Sequence, residues 1–144
     1  MMNEPATMEG LNPEGKPYRI VICDDKKSEI IKLKQILESR RYKVVETFGN
    51  GRELVTWYKR RPDSADCILL DIIMPVLDGY AAFWELKELD PLPRVIFISV
   101  ENTIGVVKNV IELGASDFIT KPLQRDKILE RVRKTLERLA VPKE

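Results

Sequence analysis

Short apolar runs alternate strictly with segments of helical period along this chain, and no other property of it narrows the fold so far. YRIVIC (18–23), KVVETF (43–48), DCILLD (66–71), RVIFIS (94–99) and DFIT (117–120) each read as a strand. They are rich in Val, Ile and Leu and mostly unbroken, where a half-exposed strand would alternate apolar with polar. After them come segments with apolar residues three or four apart, such as Ile30, Leu33 and Leu37, or Ile128, Leu129, Val132, Leu136 and Leu139. A strand that is apolar on both sides must be covered on both sides. The prediction is therefore an α/β fold: a five-stranded parallel sheet, doubly wound, with one helix after each strand.

At 144 residues the chain has room for one domain with a real core and not for two. Residues 1–17 carry Pro5, Gly10, Pro13, Gly15 and Pro17 with little periodic apolar content, so a flexible arm is expected there and the folded domain over 18–144. The sequence ends shortly after the fifth helical pattern, which leads us to expect a stand-alone domain without an output module.

Several function classes lose support at once. The 24 basic residues nearly cancel the 23 acidic ones, so no field of one sign exists to drive binding to nucleic acid or to an anionic membrane. No apolar run nears the roughly 18 residues of a spanning helix, and the N-terminus lacks the basic and apolar regions of a secretory signal. A cytoplasmic protein is expected, with Cys23 and Cys67 as buried core thiols. Histidine is absent, which removes Ser-His and Cys-His nucleophile systems and any His-containing metal site.

In open α/β sheets ligands bind beyond the carboxyl ends of the strands. There the sequence places Asp24 and Asp25 after the first strand, Asp71 at the end of the third, Ser99 at the end of the fourth, and Lys121-Pro122 after the fifth. Three carboxylates held together repel one another unless a cation intervenes, and oxygen ligands without histidine suit a hard ion such as Mg2+. A divalent ion beside a lysine and a hydroxyl makes a site for a phosphoryl group. Asp71, at a strand end, is then placed to act as the nucleophile that becomes an acyl phosphate.

The Asp24-Asp25 pair, D-x-x-M-P-x-x-D-G from Asp71 to Gly79, Ser99 and F-x-x-K-P from Phe118 to Pro122 together resemble the response regulator receiver domain, over about residues 18–140. The resemblance implies a CheY-like, flavodoxin-type arrangement. It makes Asp71 the phospho-acceptor, with Mg2+ held by Asp25, Asp71 and the Ile73 carbonyl, and by Asp24 through water. Lys121 would pair with the phosphoryl group, Ser99 would hydrogen-bond it, and Phe118 would turn inward on activation. It also implies a cis bond before Pro122. Taken singly, the pieces have plainer readings: Asp24-Asp25 as a helix cap, Pro122 as a helix start, Phe118 as a core aromatic.

The phosphoryl donor implied is a phosphohistidine on a sensor histidine kinase or a histidine phosphotransfer protein, since this chain has no histidine of its own. The output implied is contact with a downstream protein through the face formed by the fourth helix, fifth strand and fifth helix. On the fourth helix, Ile104, Val107 and Ile111 form one apolar stripe and Val106, Val110 and Leu113 another, wider together than one core contact needs. Trp84 reads equally as core or as contact. Three positions are read as tuning residues: Ile73, whose apolar side chain cannot position a hydrolytic water; Val100, whose branch narrows access to Asp71; and Glu101. A long-lived acyl phosphate is expected.

Two other classes remain in view. A non-phosphorylated pseudo-receiver would use the same fold only for docking. A turnover enzyme is not expected: a haloacid-dehalogenase-type phosphatase needs an acid where Ile73 stands. The C-x5-R of a cysteine phosphatase is broken by Glu29 after Cys23 and by Ile73 after Cys67, and no P-loop motif is present.

Overall fold

In the computed structural model, which describes residues 9–89, 91–101 and 103–140, every apolar run is a strand and every periodic segment a helix. The order is β1 (Arg19–Cys23), α1 (Lys27–Glu38), β2 (Lys43–Phe48), α2 (Gly51–Arg60), β3 (Cys67–Asp71), α3 (Gly79–Leu86), β4 (Val95–Ser99), α4 (Ile104–Leu113), β5 (Asp117–Thr120) and α5 (Arg125–Ala140). All strand pairs are parallel, in the order β2-β1-β3-β4-β5.

Successive side chains of a strand point to opposite faces, so each unbroken run feeds two cores. On one face Val21, Ile68, Leu70 and Phe97 pack under Leu54 of α2, Phe83 of α3 and Val110 of α4. On the other, Ile20, Ile22, Leu69 and Ile98 pack under Leu33 and Leu37 of α1 and Ile128 and Val132 of α5. Each such side chain contributes roughly 1.5–3 kcal/mol on leaving water, which is why the three central strands, past the half-buried Arg19 that opens β1, carry no polar residue before their carboxyl ends. Cys23 and Cys67 are buried free thiols, one in each core, as expected. The side chain of Leu139 lies outside the described residues.

The segment before β1 differs from expectation. Residues 1–8 lie outside the described residues, but 9–17, read as part of a flexible arm, form a hydrogen-bonded turn docked on the end of α1 and the start of β2. Asn12 organises it: its side-chain oxygen accepts from the amides of Glu14 at 2.9 Å and Lys16 at 3.0 Å. Gly15 takes the left-handed conformation the turn requires, with φ of 82°. Glu9 pairs with Arg40 at 3.5 Å and accepts from the Tyr42 hydroxyl at 3.3 Å, while Tyr18 N–H donates to the Gly10 carbonyl at 2.8 Å. Pro, Gly and Asn serve a tight turn as readily as a loose arm, and composition alone does not separate the two. Among the described residues no helix is long and apolar enough to cross a membrane.

Candidate functional site

With β1 lying between β2 and β3, the chain leaves the sheet in opposite directions from adjacent strand ends, and a crevice opens there. Asp24 follows β1 directly, its amide donating to the Phe48 carbonyl of β2 at 3.0 Å. Asp71 is the last residue of β3, paired with Ile98 of β4. Below it the chain turns tightly: Gly79 N–H donates to the Ile72 carbonyl at 2.7 Å, and a Cβ on Gly79 would strike the Asp71 carbonyl oxygen. The lack of a side chain at Gly79 is thus a condition for the strand end to sit where it does. Asp78 caps α3 by accepting from Ala81 N–H.

Asp24, Asp25 and Asp71 each offer a carboxylate oxygen within 4.8 Å of the others. Asp24 and Asp71 are only 2% and 5% exposed, whereas Asp25 is exposed. Lys121 reaches in from just past the end of β5, its bond to Pro122 cis, and its amide donates to the Ser99 carbonyl at 2.9 Å. Its ammonium lies 3.2 Å from Asp24 Oδ2 and 3.5 Å from Asp71 Oδ2. Three carboxylates against one ammonium still leave an excess of negative charge.

The titration behaviour follows from that excess. Burial, then the Asp24 charge, push the Asp71 carboxyl up to about 6, against the pull of Lys121. Burial likewise raises Asp24, opposed by the Lys26 amide and by Lys121. For Lys121 burial acts to lower the pKa, but Asp71 and Asp24 outweigh it and the net direction is upward. A hard divalent cation fits this donor set: all-oxygen, anionic, converging and under-compensated.

Ser99 is buried at the end of β4, its hydroxyl accepting from Glu101 N–H at 3.1 Å. Phe118 is buried among the side chains under α4 and carries no mark of a switch in its position alone. Ile73 and Val100 are exposed in the loops after β3 and β4, and Glu101 is exposed beside Val100.

A family model described as the response regulator receiver domain matches residues 20–133. This chain belongs to that family. Among similar proteins, the chemotaxis protein CheY of Treponema pallidum is 37% identical over 128 residues, 89% of each chain. That of Bacillus subtilis is 39% identical over 119 residues, 83% of this chain and 98% of the relative. Among solved structures, a chain in the crystal structure of the CheX-CheY-BeF3-Mg2+ complex from Borrelia burgdorferi superposes with a TM-score of 0.86 and 35% identity, covering 90% of this chain and 98% of that one. The receiver is of the CheY type.

The two apolar stripes of α4 divide in this receiver, except that Val107 of the first packs with the second. Val110 is buried, with Val106, Val107 and Leu113 packed partly against the core, while Ile104 and Ile111 face solvent. Trp84 is also exposed, with the Lys87 ammonium 4.7 Å above its ring, so it is not a core residue. Sequence reasoning missed Glu29, in the first turn of α1, whose carboxylate lies 3.6 Å from Lys121 Nζ. An acid one helical turn past Asp25 was the available signal.

Proposed function

We propose that this receiver is a phosphoryl-accepting switch of a two-component or phosphorelay system. An Asp71 carboxylate oxygen attacks the phosphorus of a phosphohistidine on a partner kinase or phosphotransfer protein. The P–O bond forms, the P–N bond breaks, and the imidazole leaves with the electron pair and takes up a proton. The observation that carries this reading is the convergence of the Asp24, Asp25 and Asp71 carboxylates at one sheet edge, with the Lys121 ammonium held against Asp24 and Asp71.

Asp25 and Asp71, with the Ile73 carbonyl and Asp24 through water, would hold Mg2+, which when bound offsets negative charge on the transferring oxygens. Lys121 pairs with one phosphoryl oxygen and the Ser99 hydroxyl donates to another. Phe118 then serves as the inward aromatic of the activated state. The chain itself performs no turnover, and its output is contact with a downstream protein through α4, β5 and α5, where Ile104 and Ile111 stand exposed. Two buried unpaired thiols accord with action in the cytoplasm.

Intact-mass spectrometry after incubation with Mg2+ and a small acyl-phosphate donor tests this. Wild type should gain one alkali-labile phosphoryl adduct that persists longer than seconds at neutral pH, and Asp71→Asn should gain none. No adduct, even from a phosphorylated kinase, would leave only the docking reading.

A further inference from the structure

The inference rests on the phospho-acceptor reading and concerns an acid that reading leaves unused. The Lys121 side chain is 9% exposed and its ammonium meets three carboxylates: Asp24 at 3.2 Å, Asp71 at 3.5 Å and Glu29 at 3.6 Å. Asp24 and Asp71 belong to the group whose oxygens can converge on one ion, and Glu29 does not.

A dication engaged by Asp24 and Asp71 would weaken both of their pairings with Lys121 and would itself repel the ammonium. Lys121 would then have little reason to stay. Glu29 is placed to supply one. Its backbone is held in the first turn of α1, the amide donating to the Lys26 carbonyl at 3.0 Å, and a carboxylate is favoured at that helix end. Its side chain is 26% exposed, against 2% for Asp24, leaving it room to follow a small shift of the ammonium toward a phosphoryl oxygen. A purely solvated or helix-capping acid would have no such contact.

We propose that Glu29 is a positioning residue that keeps the Lys121 ammonium at the site while the metal occupies Asp24 and Asp71, so that it is in place to pair with the arriving phosphoryl group.

The test is a double-mutant cycle with a second, phosphate-free readout. At saturating Mg2+ with a small acyl-phosphate donor, Glu29→Gln should slow adduct formation about 5-fold, the size expected of a partly exposed ion pair. In a Lys121→Met background the same change should have no further effect. Equal slowing in both backgrounds, or none in either, would overturn the proposal. Independently, unphosphorylated protein is treated with an amine-acylating reagent and Lys121 modification is followed by peptide mass spectrometry. With Mg2+, Glu29→Gln should raise the Lys121 modification rate by roughly 5-fold; without Mg2+ it should stay near wild type, because Asp24 and Asp71 still hold the ammonium. No rise with Mg2+ sinks the Glu29 role. Absence of any wild-type phosphoryl adduct sinks the phospho-acceptor reading instead, and the footprint still decides what Glu29 does.

Discussion

Asp71 carries a charge that its surroundings oppose. Its carboxyl is moved from the ordinary value of 3.8 up to about 6, first by burial and then by Asp24. Between those two values the folded chain holds a proton the unfolded chain has already released, so protonation favours folding there. Stability therefore declines as pH rises through that window, and the penalty is complete above about 6. Removing the charge should help: in the absence of metal, Asp71→Asn is expected to raise the unfolding free energy by about 1–2 kcal/mol at pH 7, since the shift already nets out the Lys121 pull and is discounted here for solvent. The gain should shrink toward pH 4, as denaturant melts at the two pH values would read. A variant less stable than wild type at pH 7 would mean that the Lys121 pairing outweighs the burial penalty. The acid itself was legible in the sequence as a carboxylate closing an apolar run. Its shifted titration was not, because that depends on how deeply neighbours from other strands enclose it.

The helices show a similar division at the scale of one element. The spacing of apolar residues in α4 identified a helix with two stripes, and nothing in the spacing said which stripe meets the sheet. Packing decided it: Val110 is fully buried and Ile104 is 86% exposed. Thermal melts should separate them, with Val110→Ala costing roughly 2 kcal/mol for two buried methyl equivalents and their cavity, and Ile104→Ser staying within about 0.5 kcal/mol of wild type. If Ile104 belongs to the partner face, the same Ile104→Ser protein should lose affinity for its downstream target while keeping its fold. Trp84 follows the same logic on α3, where the sequence left core and contact equally open and packing puts the ring on the surface. Residues 9–17 are the converse case. Their Pro, Gly and Asn content suits either a loose arm or a tight turn, and the surface made by Arg40 and Tyr42 selects the turn.

Across the whole molecule the site exists only because distant segments meet: Lys121 reaches Asp24 across 97 positions and Asp71 across 50. Such a cluster stores repulsion that a divalent cation relieves, so Mg2+ should raise the melting temperature of wild type. The gain should correspond to about 2.7 kcal/mol when the free ion is at 100 times its dissociation constant. Asp25→Asn, which removes an exposed ligand without opening the core, should need more Mg2+ for the same shift, and an unchanged titration would remove Asp25 from the ligand set. By itself the sequence determined the five strands, the five helices, the parallel doubly wound sheet and the acids, hydroxyl and lysine at its carboxyl edge. These follow from local period, from apolar runs and from the chemistry of single residues. Only the tertiary structure decided that Glu29 joins Lys121, that Ile104 and Ile111 of α4 stay in water, that residues 9–17 dock, and that Asp71 resists ionisation. Each of those depends on distances between groups far apart in the chain, and Coulomb energy and burial are set by distance in space, not by position along the sequence.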